Sequence, residues 1–330
     1  MTARPRILSG MRPTGPLHLG HLTGALDNWV RLQQDYDCFY CVVDWHALTT
    51  KYADPGAIRD NVLEVACDWL AAGIDPDRSA LFIQSLVPEH AELHLLLSMV
   101  VPVPWLERVP TYKEQQQQLG DRDLSTYGFL GYPLLQAADI VVYKADAVPV
   151  GEVQAPHVEL TREVVRRFNN FYGPVFPEPR TLLTATPRTP GTDGRKMSKS
   201  YGNAIYLKDD PETVRQKLKP MVTDARRKRR TDPGEPDDCP VFDLHKAFSS
   251  DATRSWAAQG CRTAGIGCLD CKARLTEHVL ERLTGIHARR AEYAARPDTV
   301  WDVLRAGSRR ARAVAEATMD EVRAAMRIRY

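Results

Sequence analysis

No stretch of this sequence approaches the roughly 18–20 consecutive apolar residues that a membrane-spanning helix needs. Its N-terminal segment, MTARPRILSGMRPTG, lacks the apolar core and small-residue cleavage site of a secretory leader. Together these absences make a cytoplasmic protein with no membrane partner the expectation. The Gly-x-Gly-x-x-Gly fingerprint is missing after the first strand-like run, which argues against a nicotinamide or flavin enzyme. There is no internal repeat, and the low-complexity sequence is confined to QQQQ at 115–118. A strong net charge is also absent: 44 Lys and Arg against 42 Asp and Glu leave +2, so total charge alone says nothing about nucleic acid. With 43% hydrophobic and 26% charged residues the composition is that of an ordinary soluble globular protein. At 330 residues it can form two domains, or one large α/β domain with an appendage.

What is present has a clear order. RILSG (6–10) reads as a short strand ending in glycine, and HLGHLTGALDNWVRLQQ (18–34) as a helix. CFYCVVDWHAL (38–48) reads as a buried strand, PGAIRDNVLEVACDWLAAGI (55–74) as a helix opened by proline, and SALFIQS (79–85) as a further strand. Alternation of this kind predicts α/β architecture with a Rossmann-type parallel sheet. After about residue 205 the character changes to charged, amphipathic segments of helical period, such as CKARLTEHVLERLTGIHARRAEYAA and PDTVWDVLRAGSRRARAVAEATMDEVRAAM. The division expected is an α/β domain over 1–205 and an all-helical domain over 206–330.

Two segments suggest phosphate chemistry. In GMRPTGPLHLGH (10–21), His18 and His21 stand three apart where a strand gives way to a helix. A helix start offers free N–H groups and a positive dipole end, and Gly20 would allow an adenine close to the backbone. Paired histidines alone could equally cap the helix or bind a metal. In PGTDGRKMSKSYGN (190–203), Lys196 and Lys199 lie in a stretch rich in Gly, Ser and Asp, predicting a mobile loop able to close over a polyphosphate. KLKPMVTDARRKRR (217–230) adds Lys217, Lys219, Arg226, Arg227, Lys228, Arg229 and Arg230 against Asp224, which reads as a phosphate-favouring run or as a solvated basic loop.

There are seven cysteines. Cys239, Cys261, Cys268 and Cys271 are spaced Cys-x21-Cys-x6-Cys-x2-Cys, which reads as a metal site. Zinc and a [4Fe–4S] cluster both accept four thiolates, and spacing does not separate them. Cys38 and Cys41 fall on a strand with opposite facing, so core packing is expected for them and for Cys67. HAELH (90–94) lacks the glutamate placement of a zinc protease, and His90 and His94 read as structural or as facing a nucleic-acid partner.

HLGH at 18–21 with KMSKS at 196–200 resembles the signature pair of class I aminoacyl-tRNA synthetases. Around them LSGMRPTGPLHLGH, DWHALTT, ERVPTYKE, YPLLQAADI, VPVGE and ELTREVVRRFN are similar to bacterial tryptophanyl-tRNA synthetases over essentially the whole chain. The resemblance implies ATP-dependent ligation of tryptophan to tRNA(Trp) through an adenylate, with Mg2+, in a homodimer whose helical half binds the anticodon. It implies catalysis by His18, His21, Lys196 and Lys199, with ATP also contacted by Arg12, Pro13, Thr14, Gly20, Gly151, Glu152, Val153, Met197, Ser198 and Ser200. For tryptophan it implies Tyr132 and Gln154 at the α-amino group, Asp139 at the indole N–H, Gln136 on the same helix face, and Leu8, Gly10, Ile140, Val148 and Val150 as apolar lining. A subset of these enzymes carries a [4Fe–4S] cluster at this cysteine spacing, which favours iron–sulfur over Zn2+. Tyrosyl-tRNA synthetases are the rival, and a synthetase-like tRNA- or tryptophan-binding paralogue is the other alternative. One departure stands out: GEVQAPH (151–157) carries Val153 where the family pattern has an aspartate expected to bond the ATP ribose.

Overall fold

The computed structural model describes residues 4–109, 125–151, 154–183 and 189–330. Five strands, β1 (Arg6–Met11), β2 (Asp37–Val42), β3 (Ser79–Ile83), β4 (Ala147–Val150) and β5 (Arg180–Leu183), form one sheet in the order β3-β2-β1-β4-β5. Every pairing is parallel. Both faces are covered, so the strands are apolar on both sides. Successive side chains alternate between two cores: Ile7, Cys38, Tyr40, Val42 and Leu81 enter one, while Leu8, Phe39, Cys41 and Phe82 enter the other. Cys38 and Cys41 thus face opposite sides, and with Cys67 they are free, buried thiols.

The crossovers are helical. Helix α1 opens at Leu19–His21, passes through a π turn at Leu22–Leu26 and continues as Asp27–Leu32. The expected strand over 38–48 is corrected: it stops at Val42, and helix α2 (Asp44–Lys51) begins two residues later. Asp44 is the cause, because its carboxylate sits in the first helical turn and accepts from Ser85 N at 3.1 Å and Ser85 Oγ at 2.5 Å beyond the end of β3. Helix α3 (Ile58–Ala72) ends at Gly73, whose φ of 109° suits glycine. Then come α4 (Glu89–Ser98), α5 (Val103–Glu107), α6 (Tyr127–Val141) and α7 (Ala155–Tyr172).

The remaining helices are α8 (Pro211–Leu218), α9 (Pro240–Phe248), α10 (Asp251–Arg262), α11 (Cys268–Ala294) and α12 (Pro297–Ala325). They complete the cores of the sheet rather than standing apart from it. Leu275, Val279, Leu283 and Ile286 of α11 join the first core, and Ala311, Ala315, Met319 and Val322 of α12 join the second. Strand β3 lies at the sheet edge, where unpaired backbone groups need cover. Helix α12 supplies it: Ser308 Oγ accepts from Ile83 N at 3.3 Å. Gly307 lies so close that a Cβ there would stand 1.9 Å from Leu81 O. Among the described residues no helix is long and apolar enough to cross a membrane.

Candidate active site

Parallel sheets bind ligands beyond the C-terminal ends of their strands. Here β1 runs into Arg12, Pro13, Thr14 and Gly15, with Arg12 and Thr14 exposed and Pro13 buried. Crowding within this concave surface lowers the Arg12 guanidinium pKa, with Tyr132 opposing the shift. No ion pair among the described residues includes Arg12, so its charge is available to an anion. Gly15 has φ 114°, which favours glycine, and its carbonyl accepts from Lys199 Nζ at 2.7 Å.

The two segments that are remote in sequence meet as a short ladder. Leu19 N donates to Ile205 O at 3.0 Å, and Leu207 N donates to Leu17 O at 2.9 Å. His18 caps α1, its Nδ1 accepting from Gly20 N at 3.1 Å, while His21 Nδ1 accepts from His18 N at 3.2 Å. The two rings lie 3.8 Å apart, centroid to centroid. Burial, reinforced by Lys199 and Lys196, lowers the His18 pKa to about 4, and burial with His18 and both lysines lowers that of His21 to about 2. Both imidazoles are therefore neutral at pH 7. Because Nδ1 accepts in each, Nε2 carries the proton and donates. The bare Cα of Gly20 lies against the His18 ring, where a Cβ would meet His18 Cε1 at 3.0 Å.

The lysine loop, read as mobile from its composition, makes several hydrogen bonds in this structure. Asn203, 2% exposed, donates through Nδ2 to Asp193 Oδ1 at 2.7 Å and to Lys196 O at 3.2 Å, and accepts from Ser198 N at 2.8 Å. Met197 points into the first core, Ser198 and Ser200 pair through their hydroxyls at 2.8 Å, and Lys196 is exposed. Burial lowers the Lys199 pKa to about 8; Asp68 opposes that shift and Arg12 adds to it.

Asp139 lies on α6, 2% exposed. Its Oδ1 accepts from Gln84 Nε2 at 2.8 Å and meets His90 Nδ1 at 2.6 Å; its Oδ2 meets His46 Nε2 at 2.9 Å and Gln84 Nε2 at 3.0 Å. Burial alone would raise its pKa, but the His90 charge and hydrogen bonds from His46 and His90 outweigh burial and hold it well below the usual carboxylate range. A carboxylate has about four acceptor positions, and these contacts occupy them. A further donor reaches Asp139 only by sharing with or displacing His46, Gln84 or His90. Gln84 Oε1, by contrast, is buried with no hydrogen-bond partner among the described residues. Sequence reading missed His46, Gln84 and Tyr143, whose hydroxyl meets His90 Nε2 at 2.7 Å. His90 is fully buried, which removes the tRNA-facing reading for it.

Tyr132 stands half-buried between His46 and His157, with ring centroids 6.4 and 5.6 Å away. Gln136 is half-buried and Gln154 exposed, at the N-cap of α7. Leu8, Ile140, Val148 and Val150 are buried in the second core. Gly10 is exposed beside them, where a Cβ would meet Cys41 O at 2.9 Å. Gly151 has open space at its Cα, and Glu152 and Val153 lie outside the described residues.

Much of the basic run at 217–230 is consumed internally. Lys217 pairs with Asp209 at 2.5 Å, Arg226 with Asp224 and Asp238, and Arg227 donates to Asp232 O at 2.9 Å and Ile266 O at 2.7 Å. Lys228 and Arg229 are exposed. Cys239 sits at the N-cap of α9, Cys261 near the end of α10, and Cys268 and Cys271 in the first turn of α11. They converge: burial raises the Cys271 thiol to about 12, and Cys239, Cys261 and Cys268 each add to the shift. Among the described residues, however, no three His, Cys, Asp or Glu side chains are grouped closely enough to hold a single metal ion.

Residues 1–284 match the family described as tRNA synthetases class I (W and Y). The chain is 53% identical over 327 residues to a tryptophan–tRNA ligase of Thermotoga maritima, covering 98% of this chain and 100% of that one. It is 47% identical over 395 residues to one from Ralstonia nicotianae, covering 98% and 99%. The crystal structure of a Campylobacter jejuni tryptophanyl-tRNA synthetase with ADP and tryptophan superposes with a TM-score of 0.87 at 30% identity, covering 97% of this chain and 99% of that one. With this sheet order, this pairing of the two remote signature segments and these full-length likenesses, the chain belongs to the class I tRNA synthetases of the tryptophan and tyrosine group.

Proposed function

We propose that the chain joins L-tryptophan to tRNA(Trp) using ATP, through tryptophanyl-adenylate, releasing pyrophosphate and then AMP. The observation that carries this reading is the convergence of His18, His21 and Lys199 in a chain 53% identical to a tryptophan–tRNA ligase over its length. The tryptophan carboxylate attacks the α-phosphorus, and the bond to pyrophosphate breaks. A ribose hydroxyl of the tRNA terminus then takes the aminoacyl group as AMP leaves. No protein nucleophile is required, so orientation and charge stabilisation do the work. The neutral imidazoles of His18 and His21 offer N–H donors to phosphate oxygens without repelling Lys196 or Lys199. Those lysines, with Arg12, neutralise the charge that grows on the departing pyrophosphate. Thr14, Gly20, Gly151, Glu152, Ser198 and Ser200 complete the nucleotide side. Around Lys199 the donors are ammonium, imidazole and hydroxyl, so Mg2+ would be carried by the ATP phosphates, where it supplies further charge neutralisation.

On the amino-acid side, Tyr132 and Gln154 hold the α-amino group and Asp139 reads the indole N–H, taking the place of one existing donor. Of the three donors His46 is the one to yield, because its side chain is 9% exposed and that of His90 is 0%. Residues 1–205 form the catalytic part, and 206–330 bind the anticodon. For Cys239, Cys261, Cys268 and Cys271 the reading is a [4Fe–4S] cluster rather than Zn2+, on the resemblance of their spacing to the cluster-bearing subset of these enzymes; four thiolates alone accept either. Its role there is structural or in tRNA contact. A cytoplasmic homodimer completes the reading. Charging of tRNA(Trp) and tRNA(Tyr) transcripts with labelled tryptophan and tyrosine tests it: tryptophan on tRNA(Trp) alone is expected, and tyrosine on tRNA(Tyr) would refute it. For the cysteines, anaerobically prepared protein is expected to be brown with stoichiometric iron, and colourless protein with stoichiometric zinc would refute the cluster.

A further inference from the structure

One fully buried carboxylate outside the described site touches the backbone that positions it. Asp68 of α3 is 0% exposed, and its Oδ2 accepts from Leu17 N at 2.8 Å, one residue before His18. Leu17 is the residue whose carbonyl receives Leu207 N at 2.9 Å, just beyond the lysine loop. The other oxygen of Asp68 is held by Arg290 Nε at 2.8 Å, and Arg290 also reaches Glu64 at 2.6 Å. Glu64 in turn binds Lys208 at 3.2 Å, closing a ring that returns to the segment after the lysine loop. Arg290 belongs to α11, the helix whose first turn holds Cys268 and Cys271.

Removing the cation alone would leave a buried charge without its counterion, so the pair acts as a unit. Its two ends have different duties: Arg290 faces the helical half of the chain, and Asp68 faces the start of α1. A shift of α11 along its axis would pull on Asp68 and hence on Leu17, His18 and the ladder to Leu207. Asp68 also opposes the lowering of the Lys199 pKa, so the same shift changes the field at that ammonium.

We propose that Asp68 and Arg290 are positioning residues for adenylate formation, an inter-segment brace through which helix α11 sets the alignment of the His18–His21 turn with the lysine loop. This rests on the synthetase reading above. The test measures tryptophan-dependent exchange of labelled pyrophosphate into ATP, with thermal melting in parallel, for wild type, Arg290→Lys, Arg290→Met and the double variant Asp68→Asn/Arg290→Gln. The double variant carries no buried charge and keeps an acceptor for Leu17 N, so it remains measurable if Arg290→Met does not fold. The expected result is a fall in kcat of about tenfold or more in Arg290→Met and in the double variant, with KM for tryptophan within about twofold. Arg290→Lys should recover most of that loss. A double variant whose kcat stays within about twofold of wild type, whatever its melting temperature, overturns the proposal. Wild-type protein with no exchange at all would instead overturn the synthetase reading.

Discussion

Lys199 couples the chemistry of the cleft to solution pH. Its pKa is lowered to about 8, first by burial, so the unliganded enzyme loses this cation as pH rises through that value. If Lys199 binds and stabilises the polyphosphate as proposed, kcat/KM for ATP should decline above pH about 8, since that ratio reports the free enzyme. Lys199→Arg, which stays charged, should slow the reaction and abolish that decline; a wild-type profile flat through this range would contradict the assignment. Val153 allows an independent test. The aspartate expected there would bond the ATP ribose, and a hydrogen bond to a charged group is worth about 1.5–3 kcal/mol, or roughly ten- to a hundredfold in affinity. Val153→Asp should therefore lower KM for ATP, and an unchanged or higher KM would refute the ribose argument.

Residue identity carried the signature segments, because glycine, histidine and lysine patterns are local in sequence. The saturation of Asp139 was not legible, because its partners come from α2, the turn after β3, and α4, at positions 46, 84 and 90. Nothing in the spacing of those residues announces that they meet.

At the scale of elements, β1, β2 and β3 could be read from short runs rich in apolar residues, whereas β4 and β5, with the sequences AVPV and RTLL, are too short to set a period. Helix α2 was masked by the apolar run ahead of it, until the Asp44 contacts to Ser85 explain why the strand stops. The cover of β3 by α12 was equally hidden, since a helical stripe says what is buried but not against what. Gly307 is where that contact is tightest, with a Cβ meeting Leu81 O at 1.9 Å. Alanine would gain about 1 kcal/mol of helix propensity. Forcing a methyl group against a backbone carbonyl costs about 1–3 kcal/mol or more, and a strand backbone yields less than a side chain does. Gly307→Ala should therefore lower the melting temperature by about one to three degrees, and a rise would show that α12 does not press on β3 as described.

For the whole molecule, several histidines are folded in their neutral form. Burial lowers the pKa of His18 to about 4, with Lys199 and Lys196 adding to it, and burial with His46 lowers that of His157 to about 4. Between about pH 4 and the unfolded histidine value of about 6.5, the unfolded chain binds more protons than the folded one. Stability must then fall as pH drops through that window. Urea unfolding should give a smaller free energy at pH 5 than at pH 7, and an equal or larger value would contradict the buried neutral histidines. The same sign does not apply above pH 7, where these groups are neutral in both states.

The claim that joins all three scales is that this cleft activates tryptophan. Its most direct measurement is exchange of labelled pyrophosphate into ATP by the purified protein, with tryptophan and tyrosine in parallel. Exchange that requires tryptophan and is at background with tyrosine is the result expected. Exchange driven by tyrosine, or none with either amino acid, would contradict it.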